Sequence, residues 1–377
     1  MPIEVESPEQ LGYDTITYNL SESSVSDRKL SDLGLDLESS KLDDLLLCYG
    51  DHLGDPALRA AIAAQHGVEA DDVVVTVGGI HALFLAGYIL CGRGEEAVVA
   101  TPVFPPARDT LLSVGAALRQ LPLAFDEGYR LDPARLAALL SAATRLVSLA
   151  SPQNPSGIAL PHETLTRILA EMTARCPQAF LLVDETYRQA VYNDDETAPS
   201  AATLGPRVIV TGSLSKCHGA PGLRIGWAIV RDTALREQMV LGKFNTVIAN
   251  STVDEMLGLR VLTRAQPIIA ARRKHLGEGL ARTAAWVARN AALVEWIEPD
   301  AGALCCVRLR SEQFDPAAVA RFHAALARLD ARVGDGTWFG EEARVFRLGF
   351  GLLPIPELEL ALGVLDTALQ QARRKAA

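Results

Sequence analysis

The sequence predicts an α/β fold, a mainly parallel seven-stranded sheet between helices, with a smaller α/β unit towards the C-terminal end. Three observations predict it. From about residue 57, helical periodicity alternates with short β-branched runs, as in a series of βα units. The runs are almost wholly apolar, which suits strands covered on both faces. After about residue 253 the alternation stops and a long helical stretch begins.

In chain order, residues 57–65 read as a helix and 73–77, VVVTV, as a strand. Helix 81–91, strand 97–100, helix 105–114 and a short strand at 118–121 follow. Next come helix 133–143, strand 146–150 and helix 162–175. Strands at 180–183, 208–210 and 225–230 close the large region. Beyond it, roughly 254–288 reads as one long helix. Strands at 304–309 and 345–350 are then separated by helices at 316–329 and 356–373. The expected division is an N-terminal segment, 1–45, packing with a small domain over 254–377, and a large domain over 46–253. No internal repeat and no Pro/Gly-rich linker interrupts the chain.

The 377 residues, 49% hydrophobic and 22% charged, are ample for a substantial core. A net charge of −10 gives a nucleic-acid partner no electrostatic support. The start, MPIEVESPEQ, has no apolar signal region, and the most apolar stretches, 82–91 and 146–150, are too short to span a membrane. Six cysteines, at 48, 91, 176, 217, 305 and 306, show neither a C-x-x-C pair nor a metal-ligand spacing. They read as reduced thiols of a cytoplasmic protein, with no metal site, and Cys305 and Cys306 as one strand step facing opposite ways.

Several strands end in polar residues, where open α/β sheets build ligand sites. VVVTVGGIHA (73–82) runs from strand through Gly78, Gly79 and Ile80 into a helix start, a place that suits a phosphate. Such a glycine pair is also ordinary turn chemistry, and His81 after it is expected to cap the helix. Asn154 lies between two close prolines in LASPQNPSGIALP (149–161), by itself a turn. In LLVDETY (181–187), Asp184 and Tyr187 follow an apolar strand, and a buried aspartate there needs a donor or a cation. TGSLSKCHGAPGLRIGW (211–227) sets Lys216 among glycines, with Ser213, Ser215 and Arg224 near it. A lysine that must form an imine has to lose its proton near neutral pH. With a phosphate cradle, an Asp, an Asn and a Tyr, it supplies the parts of a pyridoxal 5′-phosphate site.

These stretches, with YGDHLGDPALRAAIA (49–63), TPVFPP (101–106) and VFRLGF (345–350), resemble in order and separation the fold-type I pyridoxal-phosphate enzymes. The resemblance covers most of the chain and is to class I/II aminotransferases. It implies that Lys216 carries the cofactor as an imine and moves the proton at the substrate Cα. Asp184 would keep the ring nitrogen protonated, and Asn154 and Tyr187 would bond the phenolic oxygen. Phe104 would stack on the ring. Backbone groups of Gly78, Gly79 and Ile80, with Ser213, Ser215 and Arg224, would hold the phosphate. Tyr49 would reach the cofactor of a neighbouring subunit, which implies a homodimer with shared sites. Arg347 would clamp the substrate α-carboxylate in bidentate fashion.

YNLSESSV (18–25) departs from the pattern, because many relatives have a glycine beside the substrate there. Ser21 and Ser23 become candidate substrate contacts. The reaction the family implies is transfer of an amino group from an L-α-amino acid to a 2-oxo acid. NLSESSV and YGDHLGDP also resemble the capreomycidine synthase branch, which eliminates a β-hydroxyl from a hydroxyarginine and closes a ring. For a basic substrate the acidic candidates are Glu22, Asp27 and Asp51, whose ordinary reading is solvated charge. A regulator built on the fold would be expected to carry a DNA-binding extension, against the acidic charge balance.

Overall fold

The computed structural model describes residues 16–33 and 45–373. Strand β1 is Tyr18–Leu20. The large region then runs α1 Pro56–His66, β2 Val73–Val77, α2 Gly78–Leu90, β3 Glu96–Thr101, α3 Pro105–Ser113 and β4 Ala117–Pro122. It continues α4 Pro133–Ala137, β5 Thr144–Ala150, α5 His162–Arg175, β6 Phe180–Asp184, β7 Val208–Ser213 and β8 Ile225–Val230. Helices α6 Thr233–Val247, α7 Thr252–Thr263 and α8 Ala265–Arg289 lead to β9 Val294–Ile297 and β10 Leu304–Leu309. The chain ends α9 Pro316–Arg328, β11 Ala331–Asp335, α10 Gly336–Phe339, β12 Val345–Gly349 and α11 Ile355–Ala372.

The large sheet has seven strands in the order β2-β8-β7-β6-β5-β3-β4. Only β8 runs against the others, pairing antiparallel with both neighbours. The register sets Ala150 beside Asp184 and Asp184 beside Thr211, so the carboxyl ends of β5, β6 and β7 open together. Helices begin where the sequence offers caps. Asp55 accepts from the Leu58 N–H at 2.8 Å to start α1, and Gly67, in the left-handed region at φ 67°, stops it. A second, five-stranded sheet has the order β1-β11-β12-β10-β9, with β1 joining its edge in parallel.

The stretch expected as one helix over 254–288 is two, broken at Arg264, where φ −111° and ψ 16° leave the helical range. Helix α6, capped by Asp232 on the Leu235 N–H, has no counterpart in the sequence reading, and neither do β1, β9 and β11. The helix expected over 133–143 stops at Ala137. Ser141 and Thr144 there form a turn that feeds β5, the Ser141 N–H donating to the Thr144 hydroxyl at 3.0 Å. Cys305 and Cys306 do face opposite ways: the first packs into the core of the small sheet, the second against the large one.

Candidate active site

At the carboxyl ends of the large sheet's strands, with Ser23 from the segment after β1, lies a cavity of about 270 Å³. Of the residues singled out in the sequence, Gly79, Ile80, Phe104, Asn154, Asp184, Tyr187, Ser213, Ser215, Lys216, Arg224 and Ser23 line it. They come from separate strand ends and loops, brought together by the sheet order.

One end is built by the turn from β2 into α2. The helix starts at Gly78, three residues before the expected start, so its first-turn N–H groups open beside Ser213 and Arg224. Gly78 has φ 72°, and a Cβ on it would come within 2.4 Å of Arg224 Nη2. Its own N–H donates to the Arg224 carbonyl at 2.9 Å. Gly78 therefore supplies room, while Gly79 and Ile80 present the open N–H groups. His81 caps as expected: its Nδ1 accepts from the Val77 N–H at 3.3 Å. With Nε2 3.0 Å from the Thr246 hydroxyl, the neutral ring is fully used. Burial, then the charge of Lys243, lowers its pKa to about 4.

At the other end, β6 delivers Asp184. Thr186 donates to its Oδ1 through its hydroxyl at 2.7 Å and its backbone N–H at 3.1 Å. Burial nonetheless pushes the carboxyl up from its ordinary value. Thr186 is a residue that sequence reasoning passed over, although it stands inside the DETY motif. Lys216 sits half-buried in the loop after β7, and its neighbour Cys217 is anchored through Sγ to the Thr186 carbonyl at 3.2 Å.

Hydrogen bonds from Arg347 join the two sheets next to this cavity, although Arg347 and Ser21 are not among the residues that line it. Arg347 of β12 is buried and donates from Nη1 to Asn154 Oδ1 at 3.0 Å and from Nη2 to the Ser21 carbonyl at 2.5 Å. Its guanidinium carbon stands 4.5 Å over the Phe339 ring centroid, and its buried Nε has no partner among the described residues. Ser21 meets Arg347 through its carbonyl, while its hydroxyl donates to Asn19 Oδ1 at 2.7 Å. Ser23 accepts from the Tyr187 hydroxyl at 2.8 Å. Tyr49 is apart from this cavity, 77% exposed on the surface of the protomer. Asp27 and Asp51 are exposed and Glu22 is half-buried, and none of the three lines the cavity. Among the described residues no cluster of His, Cys, Asp and Glu could hold a metal, and no helix is long and apolar enough to cross a membrane.

Pyridoxal phosphate fits this lining on three observations. Asp184 lines the cavity with a carboxyl whose charged form burial disfavours, and an N–H⁺ placed beside it would offset that cost. The glycine turn at the start of α2, with two hydroxyls and Arg224, suits a phosphate. The amine of Lys216 opens into the same cavity.

Residues 37–362 match the model of the family described as aminotransferase class I and II. Capreomycidine synthase of Streptomyces vinaceus is 32% identical over 334 residues, 88% of this chain and 84% of that protein. A PLP-dependent aminotransferase from Streptococcus suis shares the fold, with a TM-score of 0.88 and 23% identity, over 97% of each chain. The PLP-dependent cyclase OrfR aligns with a TM-score of 0.84 and 26% identity over 98% of each chain. The chain thus belongs to the class I and II aminotransferases, fold-type I enzymes whose cofactor is pyridoxal 5′-phosphate.

Proposed function

We propose that this enzyme transfers the amino group of an L-α-amino acid to a 2-oxo acid, with the residue roles that the motifs imply. The observation that carries the reading is the convergence of Lys216, Asp184, Asn154, Tyr187 and the α2 glycine turn on one cavity. Bound there, pyridoxal phosphate supplies an electron sink for the pair of electrons left at Cα. The amine of Lys216 takes the proton from Cα and returns one when the amino group has moved. Asp184 holds a proton on the ring nitrogen. Asn154, whose Oδ1 is occupied by Arg347, offers its NH₂ to the phenolic oxygen, and Tyr187 joins it by turning its hydroxyl proton from Ser23. Arg347 orients the α-carboxylate, aligned by Asn154 and the Ser21 carbonyl. Tyr49 of a second copy completes the phosphate site, which makes the active unit a homodimer. The six free cysteines support a reducing, cytoplasmic setting.

A second reading is elimination and ring closure on a hydroxylated arginine-like amino acid, favoured by the similarity to capreomycidine synthase and to the cyclase OrfR. Incubating the enzyme with the standard amino acids and hydroxylated arginine derivatives separates the two. Transamination yields a 2-oxo acid and the pyridoxamine form of the cofactor, seen near the ultraviolet edge of its spectrum. Cyclisation yields a product that keeps its α-nitrogen. A panel in which only the hydroxylated derivative reacts, without a 2-oxo acid, overturns the first reading.

A further inference from the structure

Helix α10 is a four-residue turn that the proposed chemistry leaves without a part. Asp335 starts it by accepting from the Thr337 N–H at 2.8 Å, and the Phe339 carbonyl at its end accepts from the Val103 N–H at 3.0 Å. A piece of the small-sheet region is thereby fastened to the loop that holds Phe104. The side chains continue the connection. The Phe339 ring lies under Arg347, and the Trp338 and Phe339 rings meet edge to face at 4.8 Å and 82°. Trp338 in turn meets Phe104 edge to face at 6.1 Å and 73°. The indole Nε1 is buried with no acceptor among the described residues. The indole thus has ring contacts to Phe104 and Phe339 and, among the described residues, no hydrogen bond, and it keeps an unmet N–H that a phenylalanine would not have.

We infer that Trp338 is a positioning residue that ties the Arg347 carboxylate clamp, through Phe339, to the Phe104 face of the cavity. The inference rests on the reading that Arg347 binds the α-carboxylate and Phe104 faces the cofactor ring. Arg347 stands on β12 of the small sheet and Phe104 in the loop after β3 of the large one, and the two aromatic contacts link them. Loss of the indole frees Phe104 on one side and lets Phe339, and with it Arg347, shift on the other. Edge-to-face pairs of this kind correspond to about three- to tenfold in an equilibrium constant.

The test uses two probes on the full-length protein after cofactor removal, with affinities measured by calorimetry. Pyridoxamine phosphate presents ring and phosphate; N-phosphopyridoxyl-L-alanine adds the α-carboxylate. Trp338→Ala is expected to weaken both by about three- to tenfold, and Trp338→Phe to restore most of the loss. Arg347→Lys, run beside them, is expected to weaken only the second probe. A Trp338→Ala protein that binds either probe within about twofold of wild type overturns the inference. If Trp338→Ala does not fold, Trp338→Leu takes its place under the same criterion. Should Arg347→Lys leave the second probe unaffected, the clamp reading is wrong and the inference falls with it, a result distinct from a silent Trp338.

Discussion

Burial pushes the Asp184 carboxyl up while the two hydrogen bonds from Thr186 pull it down, so its ionisation depends on what binds beside it. A protonated ring nitrogen would restore the charged form, and a charge-assisted hydrogen bond of this kind is worth roughly 1.5–3 kcal/mol. Its effect grows as carbanion charge develops. Asp184→Asn is expected to keep the cofactor and lose at least about a hundredfold in turnover, or roughly 2.7 kcal/mol. Near-normal turnover would make this aspartate structural. His218, two residues beyond Lys216, is the opposite case. It is buried, neither ring nitrogen has a partner among the described residues, and burial lowers its pKa to about 4. The folded pKa lies below the ordinary value, so the folded state resists protonation and the unfolded state takes up the proton. Stability from this group is present at neutral pH and lost as pH falls from about 6.5 towards 4. At pH 5 the loss is about 2 kcal/mol. Urea unfolding at pH 7 and pH 5 should show His218→Phe with a weaker pH dependence than wild type. An unchanged dependence would assign the acid lability elsewhere.

The turn from β2 into α2 shows how an element, rather than a single residue, makes the phosphate end. Its packing against β8 leaves no space at Gly226, where a Cβ would come within 2.3 Å of the Gly78 carbonyl carbon. Gly226→Ala is expected to push the turn outward, with a cost of about 1–3 kcal/mol from overpacking and weaker cofactor binding. Thermal unfolding and cofactor titration measure the two. Binding unchanged by the substitution would mean that the turn does not hold the phosphate. These strands were legible because their residues are buried on both faces and nearly all apolar: Val73–Val77 and Ile225–Val230 stand where the sequence places them. The start of α2 was misplaced because glycines are poor helix formers, and here tertiary packing overrides propensity. Strand β1 is three residues long and pairs with β11 more than three hundred residues away, which periodicity cannot register, and β9 and β11 are only four and five residues long. In the site, the ordered motifs contain many of the residues that line the cavity, while Gly78, Ser21, Tyr49 and Arg347 lie outside its lining. The role of Gly78 as space rather than donor depended on its bond to Arg224, invisible in the sequence.

At the scale of the molecule, one protomer supplies a cavity but leaves Tyr49 outside it, exposed beside Leu46 and Leu47. Apolar side chains clustered on one surface mark a contact region. The proposed homodimer, in which Tyr49 crosses to the partner's site, would cover these exposed side chains. Light scattering at assay concentration should give twice the chain mass, and an active monomer would contradict it. Borohydride reduction of the enzyme followed by peptide mapping tests whether Lys216 carries pyridoxal phosphate, as proposed. A single phosphopyridoxyl group is expected on Lys216, with none on the Lys216→Ala protein. A label on any other lysine, or an unlabelled chain from an active preparation, would contradict this assignment.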